Sequence, residues 1–255
     1  MELVDHVFSK FIQQSVPKED ILDMMVQFGL IAKFSYTATD AEYFVPCQLK
    51  SSPEDLYKQE PSMLDPCPLY LHFVDGFVPH GLFTRLVSRS VSWCCETWRT
   101  PLPNLYQNGA WFVLIEKQMI YDFFLLCNKS FIKIVLKQRR QDAVVSMETP
   151  VEVARRVRVF LEDSLQNLSQ ELPYLSGLQY ELCIACPYCQ HKCPNHGQVS
   201  CTDENCLHFL EVKEEEQLIC MKSVCDKVYT VHGVEMWFSR TSQVSCSIEH
   251  TQQVL

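Results

Sequence analysis

The 255 residues carry 22 Lys and Arg against 31 Asp and Glu, a formal net charge of -9, and 47% of them are hydrophobic. That apolar share supplies a sizeable core and excludes a largely disordered chain. The acidic balance argues against an extended nucleic-acid footprint, because phosphate contacts need concentrated Lys and Arg.

The longest apolar runs, such as Trp111 to Ile115 and Phe123 to Cys127, fall far short of the roughly 20 residues of a membrane-spanning helix. Met1 to Lys10 carries Glu2 and Asp5 and has neither the basic start nor the continuous apolar core of a signal peptide. A cytoplasmic protein with reduced thiols is the expectation, despite 14 cysteines. Five of these lie before residue 183 and nine between Cys183 and Cys246, which marks a separate element.

In chain order, the first predicted element is an amphipathic helix over Lys18 to Phe28, with Ile21, Met25 and Phe28 on one face and Gly29 ending it. Leu30 to Tyr36 and Glu42 to Cys47 read as a hairpin. A helix followed by such a wing fits the tail of a winged-helix unit, residues 1–49. Residues 50–68 hold Pro53, Pro61, Pro66 and Pro68 and read as a linker.

Leu69 to Val74 is the next predicted strand. Pro79-His80-Gly81 then opens a helix carrying Leu82, Phe83, Leu86, Val87 and Val91 at helical spacing. Asn108-Gly109 signals a turn before three β-rich runs, Ala110 to Glu116, Met119 to Leu126 and Ser130 to Leu136, an antiparallel meander. Thr149 and Pro150 start a long helix with Val153, Val157, Phe160, Leu161, Leu165 and Leu168 as its stripe, ended by Pro173. Leu178 to Ile184 then leads as a strand into the cysteines. The fold class is therefore α+β, with an α+β unit over 69–182, a cysteine-rich element over 183–235 and a tail over 236–255.

Two stretches carry a likeness beyond periodicity: Tyr43-Phe44-Val45-Pro46-Cys47-Gln48-Leu49, and LYLHFVDGFVPHGLFTRLVSR from Leu69 to Arg89. They resemble the COR domain of Roco proteins, and among these the animal malignant-fibrous-histiocytoma-amplified-like proteins that carry a CPxC element. The resemblance covers roughly residues 15–235. It implies a winged-helix-like first half, an α+β dimerisation half, a Roc GTPase domain as partner in cis or in trans, and a homodimer. Only the tail of the first half precedes Lys50 and no Roc domain does, so the resemblance implies a piece of a longer protein.

The cysteines supply the chemistry. Cys186-Pro187-Tyr188-Cys189 is a CxxC whose spacing lets two thiolates reach one tetrahedral zinc ion at about 2.3 Å. A thioredoxin-like redox pair is the alternative, and the Cys and His that follow at once favour zinc. Cys220 and Cys225 follow Leu218-Ile219 as a second knuckle, so the first ligand set is Cys186, Cys189, Cys220 and Cys225. Cys193, His196, Cys201 and Cys206 form an alternative or second set, and Cys201, Cys206 and Cys246 also read as ordinary thiols. His208 beside Phe209 reads as a packed residue rather than a ligand.

Nothing like His-x-Glu or His-Glu-x-x-His stands near the cluster, so the zinc is expected to be structural. The chain has no P-loop, G-x-G-x-x-G, G-x-S-x-G or kinase motif, which points to a non-catalytic regulatory module. A zinc or redox enzyme and a zinc-ribbon nucleic-acid binder are the competing classes. The one basic run, Lys129, Lys133, Lys137, Arg139 and Arg140, reads as the solvated side of a strand end. Arg155, Arg156 and Arg158 are expected to pair with acidic residues on their own helix or across a dimer. Asp75, His80 and Arg85 read as a cap and surface groups rather than a catalytic set.

Overall fold

The computed structural model describes residues 16–28, 30–35, 41–45, 48–98, 101–140, 150–186, 206–212, 218–220, 228–229 and 233–238. Helix α1 (Lys18–Gln27) buries only Ile21, and strands β1 (Ala32–Ser35) and β2 (Ala41–Phe44) follow as an antiparallel hairpin. Both agree with the sequence pattern. A short helix α2 (Glu54–Tyr57) comes next, then β3 (Leu69–Phe73) and helix α3 (Leu82–Trp98).

Strands β4 (Asn104–Leu105), β5 (Gly109–Glu116), β6 (Met119–Cys127) and β7 (Phe131–Arg139) lead to the long helix α4 (Val151–Glu171). Then come β8 (Tyr180–Ala185), β9 (Phe209–Glu211), the short pair β10 (Leu218–Ile219) and β11 (Val228–Tyr229), and a last turn of helix α5 (Glu235–Phe238).

Seven strands form one antiparallel sheet in the order β4-β5-β6-β7-β3-β8-β9. The meander β5-β6-β7 is where its alternating pattern puts it. β3, remote in sequence, slots between β7 and β8, with Leu71 opposite both Ile132 and Leu182. Because successive side chains point to opposite faces, Leu69, Leu71, Phe73, Phe112, Phe123, Leu125, Ile132 and Ile134 all join one core. The stripes of α3 (Leu82, Leu86, Val91, Trp98) and α4 (Val157, Leu161, Leu165, Leu168) fill the same core. A sheet with two amphipathic helices on one face is the two-layer solution that such patterns require.

The opposite face is also covered, and this is where the proline-rich stretch departs from the linker expected of it. Leu56 is buried against Phe124, Leu126 and Val135. Ser52 N donates to Asn108 Oδ1 at 2.9 Å, and Gln107 N donates to Lys50 O at 2.9 Å. At the far end Asp65 is buried and accepts from Ser62 N (2.9 Å), Ser62 Oγ (2.7 Å) and the backbone N of Gln138 (3.1 Å). Residues 50–65 are a strap tied down at both ends. Gly109 is needed for this close approach, since a Cβ there would stand 2.3 Å from Ser52 Oγ.

The segment expected to be a tail is likewise anchored. Trp237 is fully buried, its Nε1 donates to Cys67 O at 2.8 Å, and its carbonyl accepts from Arg158 Nε at 2.9 Å. Gly233 lets the chain return there: its φ is +91°, and a Cβ would meet Cys67 N at 2.8 Å. The cysteine-rich region is thus held between β8 on one side and Trp237 on the other.

Two losses of stability follow. Asp65→Ala leaves the backbone N–H of Gln138 without its acceptor and should cost about 1–3 kcal/mol in a denaturant melt. Trp237→Ala opens a large cavity and should cost about 3–5 kcal/mol in the same measurement, with the midpoint moving and the slope unchanged.

Candidate metal centre

β8 alternates between the two faces of the sheet, and this sorts the residues that can hold a metal. Leu182 and Ile184 turn to the helix-covered side, and Cys186, the next residue of that phase, directly follows the strand and is fully buried. Cys183 turns to the other side, among Tyr70, Phe131 and Phe209.

β9 pairs with β8 with Phe209 opposite Ala185, and Cys186 N donates to the carbonyl of His208 at 2.8 Å. That register carries the His208 side chain to the end of β8. Cys220, which follows β10, closes the group from the other side: its Sγ lies 3.0 Å from His208 Nδ1. The ligand atoms of Cys186, His208 and Cys220 all lie within 4.8 Å of one another. Ile184, Leu210 and Leu218 pack around the two buried thiols, with Cys67 and Val234 at the margin.

Two of the expected ligands, Cys186 and Cys220, are therefore brought together. Cys189, Cys225, Cys193, His196 and Cys201 lie outside the described residues. Cys206 is described and half-buried, and it is not one of the trio. The expectation for His208 is corrected: rather than only packing beside Phe209, it presents a ring nitrogen to Cys220. A soft thiolate pair with an imidazole suits zinc, which accepts S and N donors in tetrahedral array. The donor set thus fits a metal, and no spacing along the chain marks His208 as its third member.

A second group stands on the opposite face. His72 of β3 sits opposite Glu181 of β8 in the pairing register, and Cys183 is two residues further along β8. One ligand atom from each lies within 4.8 Å of the others. Burial, and after it the charges of Glu181 and Glu211, push the Cys183 thiol up to about 12. Only strand pairing unites His72, Glu181 and Cys183, so no spacing along the sequence marks them as a group.

The basic residues are spent on the fold. Arg139 pairs with Asp122 at 2.6 Å, Arg140 with Asp65 at 3.4 Å, and Lys137 Nζ donates to Gln59 Oε1 at 3.0 Å. Lys133 is half-buried rather than solvated, and desolvation lowers its ammonium pKa. Arg155 and Arg158 pair with Glu152 (2.8 Å) and Glu162 (2.5 Å) on their own helix, while Arg156 reaches Glu116 at 3.2 Å and covers the Trp98 ring. Arg85 departs from the surface role expected of it. Its Nη2 donates to the carbonyls of Val26 (2.8 Å) and Gln27, at the end of α1 where unpaired carbonyls need a cation.

No known protein-family model and no curated protein matches this chain. Among the described residues no helix is long and apolar enough to cross a membrane.

The geometry separates Cys206 from His208, two residues further on, which joins Cys186 and Cys220. His208→Ala should lose any metal held by the trio and lower the melting temperature in parallel, whereas Cys206→Ser should keep the metal, as read by metal analysis and thermal melting of the purified chain.

Proposed function

We propose that this chain is a non-catalytic regulatory module of the COR type, coupling a Roc GTPase domain to dimerisation, with one structural zinc ion. The observation that carries the reading concerns the quoted stretch from Leu69 to Arg89. It runs through the central strand β3 and into α3, burying Leu69, Leu71, Phe73, Leu82 and Leu86 in the main core. Arg85, within the same stretch, ties α3 to the end of α1. One sequence element thereby joins the helix-and-wing part to the sheet part, as a two-part coupling domain would need.

The zinc ligands in this reading are Cys186, His208 and Cys220, with Cys189 as the fourth because its CxxC spacing reaches the same ion. Cys225 leaves the first set, since four protein ligands already close a structural site. The complete burial of Cys186 supports a structural role over a redox one. An attacking thiolate must be accessible. The pairing of Arg139 and Arg140 with Asp122 and Asp65 likewise speaks for a scaffold over a nucleic-acid binder. Reduced thiols held on zinc suit a cytoplasmic location.

Light scattering on the purified chain tests the coupling role: a dimer at micromolar concentration is expected, and a strict monomer at high concentration overturns homodimerisation. The zinc reading is tested separately. Cys189→Ser should lose the metal and Cys225→Ser should retain it.

A further inference from the structure

The group on the other face of β8 is not explained by this reading. His72 Nδ1 is buried and has no hydrogen-bond partner, although leaving a ring nitrogen orphaned away from water is unfavourable. Its imidazole is held in place by stacking on Phe209, ring centroids 4.7 Å apart. A carboxylate oxygen, Glu181 Oε2, stands 3.7 Å from Nδ1, too far for a hydrogen bond and well placed to share a third atom. Cys183 Sγ completes the group.

We propose that His72, Glu181 and Cys183 form a second transition-metal site, distinct from the one at Cys186. Nitrogen, carboxylate oxygen and thiolate are the donor types that zinc and its neighbours accept, and three protein ligands leave one coordination position open. The two faces differ in a way that suits two kinds of site. Cys183 is almost fully buried while Glu181 is substantially exposed, so an ion here sits at the rim of the sheet, reachable from solvent. The trio at Cys186 is packed inside an apolar cluster.

The two sites are also mechanically linked. His208 of the first trio directly precedes Phe209, whose ring lies against His72, Tyr70 and Phe131. An ion that fixes His208 sets the register of β9 and thereby the floor on which His72 rests. Filling of the first site is expected to strengthen the second, and by linkage filling of the second strengthens the first by the same factor.

The test uses the full chain loaded with zinc, then with cobalt, whose ligand-field and thiolate charge-transfer bands report coordination. Metal content is compared between the parent, Glu181→Gln and His72→Gln, with Cys183→Ser as a third variant. Glu181 is exposed enough that its variant is expected to fold, which circular dichroism checks. The proposal expects Glu181→Gln and His72→Gln to lose one ion, or to hold it at least tenfold more weakly, while the ion on the Cys186 trio stays. It also expects His208→Ala to weaken both. Unchanged metal content and affinity in Glu181→Gln and His72→Gln would mean that the pair is a plain His–Glu contact, and the second site would be wrong. Loss of metal only in Cys186→Ser and His208→Ala would overturn it equally while leaving the first site intact.

Discussion

The sheet has two faces and the chain must cover both. α3 and α4 can hide their apolar stripes only against the face made by Leu69, Leu71, Phe112, Phe123 and Ile134, and that burial organises everything else. It leaves Tyr70, Phe124, Leu126, Phe131 and Val135 on the far side, where an uncovered patch would invite association. The strap over residues 50–65 closes one half of that patch through Leu56 and Tyr57, and Leu207 and Phe209 close the other.

The polar contacts follow from this division. Asp65 is among the few buried polar residues, and its carboxylate takes bonds from Ser62, Gln138 and Arg140, so the strap ends on satisfied groups. Trp237 plays the matching part for the C-terminal side, because its indole N–H finds Cys67 O while its ring fills the core. Between them, Cys67 touches both the main core and the cluster around Cys186. A change in the cysteine-rich region is therefore felt directly by the strap and the sheet, which gives a metal there mechanical reach.

That reach is what separates a structural ion from an incidental one. Metal-binding free energy adds to folding free energy wherever the ligands assemble only in the folded chain. Cys186 directly follows β8, His208 directly precedes β9 and Cys220 directly follows β10, so no ligand of the trio is local to the next. An ion holding these three clamps the sheet edge to the β10 strand. Such an ion would brace the β8–β9 pairing from its end, and with that pairing goes the placement of Phe209 against Tyr70, His72 and Phe131.

Local pattern determined much of this fold. Periods near 3.6 and of 2 placed α1, α3, α4 and the β5-β6-β7 meander to within a few residues, since those elements bury one face each and the apolar spacing records which. The CxxC spacing drew attention to Cys186, and the second knuckle to Cys220. Composition misled where tertiary contacts decide: four prolines made a tied-down strap look like a linker, and Trp237 fell in a segment with no pattern of its own. His208, His72, Glu181 and Cys183 were invisible as ligand sets because no spacing along the chain unites them. They meet only through the pairing of β3, β8 and β9, and antiparallel pairing joins residues by position across strands, not along them.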